Sequence, residues 1–334
     1  MADAVLLPDK TGAMTVVTVI KVTYCFSDKG TPWISENQMP ICYGDEYWGE
    51  PGQSSLRYAT DLVYKKNCTD IAVNGQAYTP TGKPVNKINV SVAVGSHKKI
   101  ITVLGDRVWT STLGIITRTR PLPFREMPIR YERAFGGKDT FHKNKSKHGI
   151  CKENPVGVGF RLSKSNGPIK GMALPNIEHA SNQIKTAKDT PKPAGFGFIA
   201  PSWEPRQSYA GTYNDTWRKE RMPLPPPDFD TRFNNAAAPD LMTKKVLTGK
   251  ETVTLTNLHP AWATVSFTLP GLSFISAYTF EHQTFKPRPM PDTLIIEPDE
   301  NRFILVFRSH YTGPYPWTQL KQVTIHEEKT DART

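Results

Sequence analysis

The 334-residue chain has four cysteines, Cys25, Cys42, Cys68 and Cys151, at wide spacings and with no C-x-x-C pair. A thioredoxin-like redox motif and a zinc knuckle are thereby excluded, which leaves ordinary reduced thiols. No disulfide scaffold is needed, because a chain of this size removes roughly 75% of its unfolded surface from water. Long apolar runs are also missing. Lys, Arg, Asn or Pro interrupts every stretch well short of the ~20 residues that span a bilayer. The start, Met1-Ala-Asp-Ala-Val-Leu-Leu-Pro8, has neither the basic segment nor the apolar length of a secretory leader. A cytoplasmic location without a membrane partner is expected.

The usual catalytic signatures are lacking too. The nearest approach to a phosphate-binding loop, Gly75 to Lys83, has the wrong spacing, and Pro84 stands where a magnesium ligand belongs. There is no G-x-S-x-G elbow and no strand, glycine loop and helix unit for a dinucleotide. No cofactor and no enzymatic activity are expected.

Positive charge is abundant: the net charge is +11 and the pI about 9.4. Phosphate binding is driven by counterion release, so nucleic acid is one class of partner to weigh. The cations, however, are scattered in short groups: Lys65-Lys66, Lys98-Lys99, Lys143 to Lys147, Arg218-Lys219 and Lys244-Lys245. A solvated surface that favours acidic partners accounts for them equally well, and nucleic acid is not the preferred reading.

Three stretches differ in texture. In the first, residues 1–120, apolar residues alternate with period two: Val16, Ile20, Val22, Tyr24 and Phe26 share one face of a half-buried strand, and Val90, Val92 and Val94 share one face of another. Turns are marked by Asp28-Lys29-Gly30, Asn74-Gly75 and Pro80-Thr81-Gly82. The second stretch, 121–245, is rich in Pro, Gly, Asn and aromatics without sustained period. Proline withholds the backbone donor that helices and central strands need. One short helix is predicted there, capped by Thr212 or Asn214, running through Trp217 and Arg218 and closed before Pro223. Its aromatic content argues for an ordered, irregular insertion. In the third stretch, 246–334, alternation returns at Val253 and Leu255, at Val265, Phe267 and Leu269, at Leu294 to Ile296, at Phe303 to Phe307, and at Val323 with Ile325. Asp299-Glu300-Asn301 is placed as a hairpin turn, and the tail from Glu327 to Thr334 reads as frayed. The predicted fold is mainly β: sandwich- or barrel-like antiparallel sheets from the outer thirds, with an irregular centre and short helices at most.

Candidate chemistry is thin. Asp228 and Asp230 could form a paired-carboxylate site, yet they follow three prolines and precede Arg232, so turn carboxylates paired to an arginine are the preferred reading. His142, His148 and Cys151 match no zinc spacing, and His259 reads as a turn histidine. No metal is expected. What stands out is arginine and aromatic density in the middle stretch: Arg130, Tyr131, Arg133, Phe135, Trp203, Arg206, Tyr209, Tyr213, Trp217, Arg218, Phe229, Arg232 and Phe233. These types dominate interface hot spots. They also anchor loops to sheets, and both roles are open at this stage.

Several segments resemble, in order, the bacterial family known as domain of unknown function 2169. They are Ser55-Leu-Arg-Tyr-Ala-Thr-Asp61, Gly105-Asp-Arg-Val-Trp109, Met127-Pro-Ile-Arg-Tyr-Glu-Arg-Ala-Phe-Gly-Gly137, Asn154-Pro-Val-Gly-Val-Gly-Phe160, Leu174-Pro-Asn-Ile-Glu178, Pro193-Ala-Gly-Phe-Gly197, Ser202-Trp-Glu-Pro-Arg206, Tyr209-Ala-Gly-Thr-Tyr213 and Asp228-Phe-Asp-Thr-Arg-Phe-Asn-Asn-Ala236. Lys65-Lys66-Asn67 and Phe307 depart from the family pattern. The resemblance implies one family domain over about residues 15–310. It also implies an adaptor or chaperone of the type VI secretion system, which takes a toxic effector to the valine-glycine-repeat spike protein or its PAAR-type tip. No catalytic residue comes with it. Arg130, Arg133, Trp203, Arg206, Tyr213, Trp217 and Arg232 are the residues expected to form or brace the partner surface. A toxin-masking, immunity-like protein is the alternative, ahead of an enzyme or a nucleic-acid binder.

Overall fold

The computed structural model describes residues 1–28, 31–163, 165 and 167–328. The expected turn at Asp28-Lys29-Gly30 falls outside the described residues at its last two positions, as does the tail beyond Glu328.

Two open sheets form the frame. In the seven-stranded sheet the order is Ala2–Pro8, Met14–Cys25, Arg302–His310, Met290–Glu297, Thr69–Val73 and Met242–Thr243, with Trp33–Ile34 also pairing Met14–Cys25. The five-stranded sheet runs Ile177–His179, His97–Leu104, Lys87–Val94, Thr252–Thr256 and Thr264–Thr268. Since neither sheet closes on itself, the sandwich is the form adopted and the barrel is not. The expectation of antiparallel sheets needs one correction: Thr69–Val73 lies parallel to Met290–Glu297, with Ile71 opposite Leu294 and Val73 opposite Ile296. A parallel neighbour requires a long crossover, and here it contains most of the chain.

The alternation seen in the sequence fills the space between the sheets. Ile20, Val22 and Tyr24 meet Val90, Val92, Val94, Leu255 and Phe267 in one apolar cluster. At its centre Phe303 stacks on Tyr24 at 5.1 Å and on Phe267 at 4.8 Å, and Phe26 stacks on Phe267 at 4.7 Å. The reading of Met14–Cys25 as half-buried is corrected, because its other face is covered as well. Val17, Val19, Ala72, Ile295, Ile304 and Val306 pack under Leu56 and Tyr58 of the short strand Leu56–Tyr58 and under Cys42, Phe198 and Ala236 from irregular segments. Val16 keeps the face of Ile20 and Val22 along an unbroken ladder but lies beyond the inter-sheet cluster, where it packs with Tyr278, Phe280 and Tyr311. These last residues belong to a small three-stranded sheet of Thr284–Phe285, Phe274–Thr279 and Gln322–Glu327 and to the loop beside it.

Local expectations are met at two places. Asn214 accepts a hydrogen bond from the Trp217 amide at 2.8 Å and caps the helix Asp215–Glu220, whose chain turns away before Pro223. Pro298, Asp299 and Glu300 make a single 3-10 turn that ends at Asn301 with φ 53°, which closes the hairpin between Met290–Glu297 and Arg302–His310. Within 121–245 the structure is irregular but fixed. Gly136 and Gly137 have φ 152° and 98°, and a Cβ at either would lie within 2.3 Å of a carbonyl oxygen, that of Asn154 or Gly157. Glycine is therefore demanded at both positions.

Candidate partner-binding face

Segment 193–241 is tied near both its ends to the strand Thr69–Val73. The Val73 amide donates to Phe196 O at 2.9 Å, and the Ile199 amide donates to Ala236 O at 2.7 Å. Asp70, fully buried, receives Lys66 Nζ at 2.8 Å and both Asn235 Nδ2 and the Ala236 amide at 2.9 Å. Asn235 Nδ2 also donates to Cys68 O at 2.8 Å, and Asn234 Nδ2 donates to Lys65 O at 2.7 Å. A buried carboxylate is tolerable only when a cation and hydrogen bonds compensate it, as they do here.

Other recurring segments interlock in the same way. Glu132 accepts from the Ser55 amide and hydroxyl, both at 2.7 Å. Asn154 Nδ2 donates to Tyr131 O at 2.7 Å and Phe135 O at 3.0 Å. Arg107 and Glu178 form a buried ion pair, and Lys21 pairs with Asp61 at 2.9 Å. Much of the segment pattern thus serves to lock loops.

The predicted site residues divide by burial. Trp203 is 3% and Arg206 4% exposed, so neither presents a surface to a partner. Trp203 sits edge-on to Tyr131 at 5.7 Å. Arg206 donates to Phe233 O and Ile199 O, both at 2.8 Å, and burial lowers its pKa. Both are struts. Arg232 is exposed, lies 4.2 Å from the Tyr209 ring centroid and donates to Asp230 at 2.6 and 2.8 Å. Those bonds hold the Asp230 carboxyl below its usual range. Arg130 stacks at 3.9 Å over Trp48, which also carries Arg57 at 4.7 Å. Arg133 reaches Asn176 Oδ1 at 3.2 Å. Tyr213, 57% exposed, meets Trp217 edge-on at 4.6 Å, and Trp217 Nε1 donates to Leu224 O at 2.8 Å.

Two adjoining cavities open on this region. The larger, about 350 Å³, is lined by Tyr131, His179, Lys192, Glu204 and Asp240 among others. The smaller, about 150 Å³, is lined by Cys68, Arg206, Tyr209, Arg232 and Met242 among others. Ile199, Pro205 and Pro239 form the wall between them. Lys99 Nζ, buried, pairs with Asp240 at 2.6 Å beside the larger cavity, and burial lowers the lysine pKa. The His179 pKa is depressed by burial first and by the Lys99 charge second. A cavity of about 610 Å³ lies elsewhere, at Leu247, Pro270, Arg288 and Phe307, and contains none of the predicted residues. Arg206 and Arg232 thus share a cavity wall. Tyr213 and Trp217 stand apart on the short helix and its approach, lining neither of the adjoining cavities.

Sequence reasoning missed Trp48, Arg57 and the Lys99–Asp240 pair. Arg57 could have been found, since it lies in the Ser55–Asp61 segment. Trp48 carried no pattern beyond its type.

The weaker candidates are occupied by structural bonds. Asp228 accepts from the Thr212 amide at 2.9 Å and hydroxyl at 2.7 Å. His142 Nδ1 accepts from the Asn144 amide, and His148 Nε2 bonds to His142 O. His259 bridges Asn301 Oδ1 at 2.7 Å and the amides of Ala261 and Trp262. Burial pushes the Cys42 thiol up to about 12 and Cys151 up to about 11, so both are poor nucleophiles. Among the described residues, no group of three or more His, Cys, Asp or Glu could hold a metal ion, and no helix is long and apolar enough to cross a membrane.

The fold and this face define a class: an open β-sandwich whose long, irregular but ordered centre is locked to the sheets by polar side chains. Residues 11–308 match the family described as an uncharacterized protein conserved in bacteria (DUF2169), and the chain belongs to that family. No curated protein and no solved structure matches it.

Proposed function

We propose that this chain is a cytoplasmic adaptor or chaperone of the type VI secretion system, which binds a toxic effector and helps to load it on the valine-glycine-repeat spike protein or its PAAR-type tip. It acts by binding and not by catalysis. The observation that carries the reading is the central third of a DUF2169 chain, locked by side-chain hydrogen bonds and offering two adjoining cavities, with exposed Arg232 and half-buried Tyr209 at the smaller one. A preorganised arginine- and aromatic-rich surface loses little entropy on binding. Its mixed polarity suits a client that must later be released better than a wholly apolar interface would. Trp203 and Arg206 brace this surface from beneath, while Arg130, Arg133, Tyr213, Trp217 and Arg232 offer contact. The net charge of +11 steers an acidic client and makes association sensitive to salt.

The test is co-purification with the toxin, tip and spike proteins of the same bacterium. A stable complex with the toxin, formed more slowly as salt rises, is expected. Absence of a complex with all three overturns the reading. Toxin activity measured in the complex separates loading from masking, since a loader leaves the toxin's active site free.

A further inference from the structure

The hairpin formed by Trp109–Thr112 and Ile115–Arg118 ends in Leu113 and Gly114, with φ of 51° and 81°. Positive φ at both turn positions belongs to the primed turns that match the twist of paired strands, for which Asn-Gly is the preferred sequence. Leucine is among the residues least suited to it, because its Cβ crowds the backbone there. Among the described residues, the other non-glycine positions with positive φ are Asn257 and Asn301. Both asparagines are tied into the fold, Asn257 to Asn89 O and Asn301 to His259. Leu113 has no such role. It is 98% exposed, and Ile115 and Ile116 beside it are 71% and 40% exposed. The residue therefore opposes stability twice, through its backbone and through its wetted apolar side chain. Strain retained at a fully exposed position points to a task outside the fold.

The base of the hairpin, by contrast, is fixed. Trp109 is buried with Phe135, Leu174 and Ile184, its backbone exchanges hydrogen bonds with Gly171 and Met172, and the Arg118 guanidinium donates to Ile184 O. From 107 to 125 the charged residues are all arginines, since no Asp or Glu lies between Asp106 and Glu126. Arg118, Arg120 and Arg125 are exposed, and none has an ion-pair partner among the described residues.

We propose that this hairpin is a docking finger whose Leu113 tip enters an apolar pocket on a partner protein, with carboxylates on the pocket rim meeting Arg118, Arg120 and Arg125. The charge complement selects the rim, because guanidinium and carboxylate make strong charge-assisted hydrogen bonds. A lipid surface is the less suitable occupant. The tip offers less hydrocarbon than one acyl chain, which alone holds a membrane only marginally. The stem carries Thr110, Ser111, Thr112 and Thr117 in place of an aromatic belt. The inference rests on the binding-protein reading above and adds where, and to what chemistry, the client attaches.

The test compares wild type with Leu113→Asn and with Arg120→Glu, using whichever of the toxin, tip and spike proteins the wild type binds. Leu113→Asn is expected to leave the thermal midpoint unchanged or raise it, because asparagine suits the turn. It should weaken the complex roughly tenfold or more, the worth of one well-buried leucine. Arg120→Glu should slow association and flatten its salt dependence. Wild-type affinity in Leu113→Asn overturns the proposal while leaving the adaptor reading intact. A lowered midpoint in Leu113→Asn also overturns it, by giving the leucine a structural role. So does wild-type sedimentation with phosphatidylglycerol vesicles that Leu113→Asn abolishes, or a wild-type dimer that Leu113→Asn dissociates. If wild type binds none of the three proteins, the adaptor reading falls and the finger with it.

Discussion

The sheets and the central third solve the same problem with different chemistry. In the sheets, ladder bonds satisfy the backbone and alternate side chains are free to be apolar, as Val90, Val92, Val94, Leu255 and Phe267 are. Between 121 and 245 there is little ladder, so buried carbonyls and amides must find other partners. Side chains supply them: Asn154 to Tyr131 O and Phe135 O, Asn176 Nδ2 to Leu104 O, Asn234 to Lys65 O, Asn235 to Cys68 O, and Arg206 to Phe233 O and Ile199 O. The difference teaches that an irregular region can be as well determined as a sheet. Its specification then lies in single amides and guanidinia, not in a repeating pattern.

The sharpest way to break this comparison is to remove one member of each kind. Phe303→Ala empties the centre of the aromatic stack between the sheets and should cost about 3–5 kcal/mol. Urea unfolding checks it, with one cooperative transition at a much lower midpoint. Asn154→Ala strands two carbonyls in the central third and should cost about 1–3 kcal/mol. Limited proteolysis should then cut faster within 121–245, while far-ultraviolet dichroism from the sheets persists. A loss in Asn154→Ala as large and as global as in Phe303→Ala would erase the distinction.

The smallest effect expected is one of pH. His179, at the larger cavity, and His310, beside Lys65 and Arg308, both have pKa values pushed below the ordinary 6.5, by burial first. Each imidazole therefore binds its proton more weakly in the folded chain than in the unfolded one. Stability is full above pH 6.5 and declines as pH falls through that value toward the folded pKa. Melting curves across this range should show the slope, and His179→Asn should reduce it without abolishing it, because His310 remains.

The sequence made the period-two strands legible because alternation records a burial that happens locally. The Asn214 cap and the Asp299–Asn301 turn were legible for the same reason: their bonds close within a few residues. The parallel pairing of Thr69–Val73 with Met290–Glu297 was not, since register between strands two hundred residues apart leaves no local mark. Nor was the covering of the second face of Met14–Cys25 by Tyr58 and Phe198. At the candidate site the residue types were readable and their depths were not. Trp203 and Trp217, or Arg206 and Arg232, look alike in sequence, yet one of each is buried and the other is half or fully exposed. Leu113 escaped notice because its oddity lies in a dihedral angle.

The place of Arg302–His310 between Met14–Cys25 and Met290–Glu297 bears on how the protein is born. A ribosome delivers the first long strand almost three hundred residues before the partner that completes its ladder. Until then the apolar face of that early segment has no finished home, so the nascent chain must be kept from premature association throughout its synthesis. Stop codons or frameshifts anywhere upstream of residue 302 should consequently yield insoluble fragments and no working half-proteins.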